Sequence, residues 1–128
     1  MTHSNHEVRT VLIVDDEAPV RSLMRDILEH AGYEVHEASN GKEAEEKLAA
    51  RATHLVITDL VMPEREGIET IRSLRKRYPN LGIIAVSGAF EGRFLRGAEL
   101  LGADAALMKP FDPGALVEAV KRVLAARA

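Results

Sequence analysis

Short apolar segments alternate along the chain with segments in which apolar residues recur every three or four positions. The strongest apolar segments are residues 11–14, 55–58, 83–86 and 105–108, and a shorter one surrounds Val35. Apolar runs of this length, bounded by turn residues, are typical of strands buried on both faces, whereas the amphipathic segments between them are typical of helices. Because successive parallel strands are joined by right-handed crossovers, the pattern predicts a doubly wound α/β sheet of five parallel strands with helices on both faces.

Turn and capping residues set the expected boundaries of these elements. The strands are expected at residues 9–14, 33–38, 55–59, 81–86 and 105–108. Gly32 ends the first helix, Asn40 and Glu43 form a capping box for the second, Gly67 lets the chain enter the third, and Asp112 caps the last. Each helix should therefore begin at the edge of the sheet where the preceding strand ends.

Two other segments have helical patterns with unusual composition. Phe94 and Leu101 belong to one such segment, but Gly92 and Gly97 interrupt it, and each interior glycine costs about 1 kcal/mol relative to alanine. The other is the basic run at residues 72–77, which we expect to form a solvated helix face.

Polar side chains stand where four of the apolar segments end. Asp15 and Asp16 follow the first strand, Asp59 ends the third, Ser87 follows the fourth and Lys109 follows the fifth. In an open parallel sheet the carboxyl ends of the strands share one edge, where ligands bind. Three carboxylates close together repel one another unless a cation lies among them, and Mg²⁺ prefers such oxygen ligands. The sequence therefore predicts a magnesium site at this edge.

The same side chains suit phosphoryl transfer. Asp59 stands alone at its strand end, so its carboxylate can act as a nucleophile that forms an acyl phosphate. Lys109 would bind phosphoryl oxygens, Ser87 would donate a hydroxyl hydrogen bond, and the backbone amides of Leu60 and Gly88 would add donors. Taken singly, these residues also fit ordinary roles as caps, turn residues or a solvated strand end. Their expected convergence on one edge favours the functional interpretation.

Composition excludes several classes of site and partner. The chain has 128 residues, no cysteine and a formal net charge of −3, which excludes disulfides and gives no general attraction to nucleic acid or anionic lipid. Residues 1–7 are polar and lack the apolar core of a secretory signal, and no apolar stretch approaches the roughly 20 residues that span a bilayer. We therefore expect a flexible leader at residues 1–7 and one cytoplasmic domain that binds neither membrane nor nucleic acid.

The spaced motifs resemble those of a known family. The motifs are Asp15-Asp16, Asp59 to Pro63 with Gly67 beyond, Ser87, the Gly102-Ala103-Asp104 step and Lys109-Pro110-Phe111. Together they resemble the receiver domain of two-component response regulators, and in particular the chemotaxis-type regulators that consist of this domain alone. The resemblance covers roughly residues 8–126, which we take as the receiver domain, and implies a flavodoxin-like fold with strand order 2-1-3-4-5.

The resemblance also implies roles for individual residues and partners. Asp59 would accept a phosphoryl group from a histidine kinase or a histidine phosphotransfer protein. Mg²⁺, replaceable by Mn²⁺, would be held by Asp16, Asp59 and the carbonyl of Val61, with Asp15 acting largely through water. The domain would then be a monomer or a weak phosphorylation-dependent dimer that signals to a protein target. It would not be an enzyme beyond its own phosphorylation and autodephosphorylation.

One position departs from the family pattern. Ser87 and Lys109 would sense the phosphoryl group, but the aromatic residue usual three positions before the lysine is Ala106 here. This substitution favours one alternative, a receiver-fold interaction module that is seldom phosphorylated. Another alternative is a phosphotransfer enzyme of the haloacid-dehalogenase type, which also forms an aspartyl phosphate. That class has a second acid two residues after the nucleophile, where this chain has Val61.

Overall fold

Five parallel strands form one sheet in the computed structural model of the chain, which describes residues 8–60, 65–88, 99 and 102–127. The strands are β1 (Thr10–Val14), β2 (Glu34–Ala38), β3 (Leu55–Asp59), β4 (Gly82–Ser87) and β5 (Ala105–Met108). The helices among the described residues are α1 (Ala18–His30), α2 (Gly41–Ala50), α3 (Arg65–Arg77) and α4 (Pro113–Ala126). The strand order is β2-β1-β3-β4-β5. The predicted doubly wound sheet and its strand order are therefore confirmed.

The central strands contribute alternate residues to two cores, one on each face of the sheet. Val11 and Ile13 of β1 belong to one core, and Leu12 and Val14 to the other. The first core includes Met24 and Leu28 of α1 with Leu116 and Val120 of α4, and the second includes Ala44 and Leu48 of α2 with Ile71 and Leu74 of α3. Because both faces of β1 are covered, apolar residues occupy its four consecutive positions 11–14 instead of alternating with polar ones.

Capping side chains fix the starts of α2 and α4. Asn40 Oδ1 accepts the Glu43 N–H at 2.9 Å, and the Glu43 carboxylate accepts the Ser39 N–H at 2.8 Å, so the predicted capping box forms with Ser39 as the second donor. Asp112 Oδ1 accepts the Ala115 N–H at 2.7 Å, as predicted. These contacts satisfy N–H groups that lack partners within the helix.

Some predicted boundaries differ from the structure. α3 begins at Arg65, so the prediction that Gly67 admits the chain into this helix is wrong by two residues, a shift common at helix ends because the first turn makes few intrahelical bonds. β4 extends through Ser87, which lies within the strand. The helix predicted around Phe94 lies outside the described residues. None of the described helices is long and apolar enough to cross a lipid bilayer.

The Arg75 side chain is bound to other segments of the chain, although the basic run at residues 72–77 predicts a solvated helix face. Its guanidinium donates to the carbonyls of Leu81 at 2.7 Å and Gly102 at 3.0 Å, and to the Asp104 carboxylate at 2.9 Å. Gly102 has a φ of +123°, and a Cβ at this position would lie 2.8 Å from Arg75 Cγ. The prediction of a solvated helix face is therefore wrong for Arg75, which ties α3 to the segment that precedes β5.

Candidate functional site

Asp15, Asp59 and Lys109 lie together at the carboxyl edge of the sheet, as predicted. Asp15 follows β1, Asp59 is the last residue of β3, and Lys109 follows β5. Lys109 Nζ donates to Asp59 Oδ2 at 2.8 Å and to Asp15 Oδ2 at 3.2 Å. Asp15 is fully buried and Asp59 is 3% exposed. The ammonium and the two carboxylates therefore interact where little water screens their charges.

Asp16 completes a group of three carboxylates. Asp15, Asp16 and Asp59 each place one oxygen within 4.8 Å of the others. Asp16 is exposed, so a cation held there could retain water molecules on its outer side. Hard oxygen donors with room for water are the arrangement that Mg²⁺ uses in phosphate-handling sites. The donor set therefore fits a small divalent cation.

Every polar group of Asp15 has a hydrogen-bond partner. Its N–H donates to the Ala38 carbonyl at 3.1 Å, and its carbonyl accepts from Arg21 Nη1 at 2.6 Å. Oδ1 accepts the Glu17 N–H at 2.8 Å, and Oδ2 accepts the lysine ammonium described above. Because both carboxylate oxygens already have donors, Asp15 is less available than the exposed Asp16 for direct contact with a metal ion.

The burial of these charges perturbs their protonation. Burial and the neighbouring Asp59 carboxylate raise the pKa of Asp15 to about 6, against the opposing effects of the Glu17 N–H and the Lys109 ammonium. Burial also lowers the pKa of Lys109, but its hydrogen bonds and charge interactions with Asp59 and Asp15 outweigh that effect and raise the pKa above its usual value. The site thus buries carboxylates that repel one another, and a bound cation would reduce this repulsion.

Ser87, the last residue of β4, and Gly88, which follows it, lie beside Lys109. The Ser87 carbonyl accepts the Lys109 N–H at 3.0 Å, and Ser87 is fully buried at the end of β4. A Cβ at Gly88 would lie 3.1 Å from Lys109 Cβ, so the absence of a side chain lets the two segments approach closely. The structure therefore brings both residues to the edge that Asp59 occupies.

The Leu60 amide, an expected phosphoryl donor, pairs with the neighbouring strand in this structure. The Leu60 N–H donates to the Val86 carbonyl at 2.9 Å, and this bond continues the pairing of β3 with β4 one residue beyond Asp59. The amide therefore already has a partner in the sheet, and its donation to a phosphoryl group stays a prediction that would require this bond to be exchanged. Val61, whose carbonyl is a predicted metal ligand, lies outside the described residues.

The sequence patterns do not reveal a charged network next to Asp15. Arg21 Nε donates to Glu37 Oε1 at 3.0 Å, and Arg25 Nη1 donates to Glu37 Oε2 at 2.6 Å. The sequence offers only two signals of this network, namely two arginines one turn apart in α1 and a glutamate in β2. They indicate a network only once the pairing of β1 with β2, which sets Ile13 opposite Glu37, is known.

Both the sequence and the fold match known proteins. A family model for the response regulator receiver domain matches residues 11–121. The chain is 41% identical over 116 residues to the chemotaxis protein CheY of Thermotoga maritima, covering 90% of this chain and 97% of CheY. It is 38% identical over 119 residues to the phosphate regulon transcriptional regulatory protein PhoB of Pseudomonas aeruginosa, covering 91% of this chain but only 52% of PhoB. The crystal structure of a CheY-like receiver domain protein from Methanospirillum hungatei matches with a TM-score of 0.87 and 31% identity, covering 94% of this chain and 97% of that one.

Proposed function

We propose that this chain, which belongs to the response regulator receiver domain family, accepts a phosphoryl group on Asp59. Receiver domains are phosphoacceptor modules of two-component signalling, and the chain is therefore such a module. The observation that supports Asp59 as the acceptor is its position at the end of β3, where Lys109 Nζ is 2.8 Å from Oδ2 and the other two carboxylates are adjacent.

The residues of the site can divide the work of the transfer. An Asp59 oxygen attacks the phosphorus of a phosphorylated imidazole, the P–N bond breaks, and its electron pair leaves with the imidazole while an acyl phosphate forms. Lys109 holds one phosphoryl oxygen through its charge, which its raised pKa maintains at neutral pH. The Ser87 hydroxyl and the Gly88 N–H donate to the other oxygens, since both residues lie beside the lysine.

Asp16 and Asp59 would contact Mg²⁺ directly, and Mn²⁺ would substitute for it. The ion would neutralise charge on the phosphoryl oxygens as the transfer proceeds. Asp15 would act through a water molecule, because its two oxygens already accept hydrogen bonds from Glu17 and Lys109. The carbonyl of Val61 completes the proposed ligand set on the basis of the family resemblance.

The partners follow from the chemistry of an aspartyl phosphate. The donor is a histidine kinase or a histidine phosphotransfer protein, and the recipient of the signal is another protein, since the net charge of −3 gives no attraction to nucleic acid. The chain matches CheY over nearly the full length of that protein, and we place the receiver domain in the cytoplasm as part of this proposal. Its own phosphorylation and autodephosphorylation would be its only catalysis.

Acetyl phosphate provides a direct test of the acceptor. With Mg²⁺, the wild-type chain should gain the mass of one phosphoryl group, and Asp59→Asn should gain none because it keeps the shape of the side chain without the nucleophile. Asp26→Asn, which changes an exposed acid of α1, is the matched control and should react like the wild type. Phosphorylation of Asp59→Asn at the wild-type rate would exclude this acceptor. Failure of the wild type to react would favour the interaction module instead.

A further inference from the structure

We propose that Arg21 is a positioning residue for the metal site: its guanidinium fixes the peptide between Asp15 and Asp16 so that the Asp16 carboxylate faces the cation. This inference rests on the proposed function, because it assumes that Asp16 binds Mg²⁺. Arg21 Nη1 donates to the Asp15 carbonyl at 2.6 Å and Nε donates to Glu37 Oε1 at 3.0 Å, so the guanidinium joins the metal-site loop to β2. The Arg21 side chain is only 17% exposed.

The other end of this link is itself held firmly. Glu37 Oε2 accepts from Arg25 Nη1 at 2.6 Å, and Arg25 Nη2 donates to the Val35 carbonyl at 3.1 Å. Glu37 also lies in β2 directly opposite Ile13 of β1. Arg21 therefore reaches the loop from a support that the sheet and a second arginine keep in place.

The carbonyl that Arg21 holds sets the position of the Asp16 backbone. A peptide unit is planar, so fixing the Asp15 carbonyl also fixes the N–H and the Cα of Asp16, from which its side chain starts. The Asp15 N–H donates to the Ala38 carbonyl, so the contact with Arg21 removes the rotation about the Cα–C bond of Asp15 that this bond leaves open. Within the described part of the chain the Asp16 side chain has no hydrogen bond of its own, so its orientation depends on this backbone.

The position of Arg21 is not explained by the stability of α1. It is the fourth residue of the helix, close to the N-terminal end, where the helix dipole disfavours a positive charge, and no acidic residue occupies the first turn to compensate. The contacts with the Asp15 carbonyl and Glu37 supply the missing compensation. A role in positioning the loop at Asp15 explains why a positively charged residue occupies this place in the helix.

Charge and position predict opposite effects of removing Arg21. A guanidinium repels a divalent cation, so if only its charge mattered, its loss would leave Mg²⁺ affinity unchanged or increase it. If Arg21 positions Asp16, its loss weakens binding, and replacement of groups that orient metal ligands typically lowers affinity by about 10- to 100-fold. Because Glu37 neutralises much of the charge of Arg21, we expect positioning to dominate, with an affinity loss of about tenfold.

The test measures Mg²⁺ dissociation constants by calorimetry or by amide chemical shifts for the wild type and three variants. Arg21→Gln should weaken Mg²⁺ binding by about tenfold. Arg21→Lys should fall between Arg21→Gln and the wild type, because a lysine can reach the Asp15 carbonyl or Glu37 but cannot bridge them. Arg25→Gln is the comparison variant: it removes an arginine from the same glutamate without touching the Asp15 carbonyl, so it should weaken Mg²⁺ binding much less than Arg21→Gln does.

A second measurement separates positioning from general loss of structure. The initial rate of phosphorylation by acetyl phosphate should reach the wild-type plateau in Arg21→Gln, but at a higher Mg²⁺ concentration. Equal or tighter Mg²⁺ binding by Arg21→Gln, or a lowered plateau with unchanged half-saturation, would overturn the proposal. If thermal melting shows that Arg21→Gln is unfolded, the comparison of Arg21→Lys with Arg25→Gln decides in its place. Failure of the wild type to bind Mg²⁺ would instead overturn the proposed metal site, and the inference with it.

Discussion

Replacing Asp15 by asparagine should stabilise the metal-free protein at neutral and higher pH. In the wild type the Glu17 N–H donates to Asp15 Oδ1 at 2.8 Å. Asparagine keeps the size of the side chain and an oxygen that can accept this hydrogen bond. It removes a fully buried negative charge beside Asp59. Its Nδ2 can donate to Asp59, as the protonated carboxyl would. The loss of the contact with Lys109 is limited because the ammonium retains its shorter bond to Asp59.

The size of the effect follows from the pKa of Asp15. Folding raises this pKa from 3.8 to about 6, so above pH 6 the charged side chain is disfavoured in the folded state. About two pKa units at about 1.4 kcal/mol each correspond to about 3 kcal/mol, which is the upper bound for the gain in the free energy of unfolding. Between pH 4 and 6 the folded wild type binds more protons than the unfolded chain, so the contribution of Asp15 to stability falls as pH rises through this window.

Urea denaturation in EDTA at pH 4 and pH 8 measures this difference. The wild type and Asp15→Asn should have similar free energies of unfolding at pH 4, where Asp15 is largely protonated in the folded state. At pH 8 the variant should be more stable by about 1 to 3 kcal/mol. Asp26→Asn, on the exposed face of α1, controls for general charge removal and should show no such gap. A variant less stable than the wild type at pH 8, or a gap that is the same at both pH values, would refute the reasoning.

Two further predictions concern stability and output. Asp104 accepts hydrogen bonds from Arg75 and from both Nε and Nη2 of Arg127, so Asp104→Asn should lower the free energy of unfolding by about 2 kcal/mol at pH 7. Because these donors outweigh burial and lower the pKa of Asp104, the difference should shrink as pH falls below about 4 in urea denaturation, and a constant difference would contradict this origin. A beryllofluoride mimic of phosphorylation should change amide hydrogen exchange mainly within residues 87–102, because Ala106 offers no aromatic ring to reorient. The largest change near residue 106 would exclude this route.

The fold and the main site residues were predictable because they depend on local features of the sequence. Strands covered on both faces are continuously apolar, and parallel strands all end at one edge, so the polar residues after them must converge there. This reasoning located Asp59, Lys109 and Ser87 without knowledge of any contact. The geometry adds the distances, which show that Lys109 reaches two carboxylates at once.

The features that sequence patterns missed depend on contacts between distant parts of the chain. Leu60 appeared available because a residue just beyond an apolar run usually leaves the sheet, yet its N–H continues the pairing with β4. Arg75 lies in a basic run that resembles a solvated face, but its contact with Asp104 spans 29 positions. The role of Arg21 requires the register of β1 and β2. Long arginine side chains cross between elements, and periodicity says nothing about where their charged ends go.

Comparing Asp15→Asn with Arg21→Gln separates two ways in which a receiver site can control its affinity for a cation. Asp15→Asn removes a charge that opposes folding, so it should stabilise the metal-free protein and reduce the additional stability that Mg²⁺ provides. Arg21→Gln removes a support for the backbone and leaves all three carboxylates in place, so the repulsion that favours cation binding persists. Weaker Mg²⁺ binding without the stability gain of Asp15→Asn would therefore show that repulsion alone does not determine affinity. The direction in which Asp16 is held would then be an independent determinant of the site.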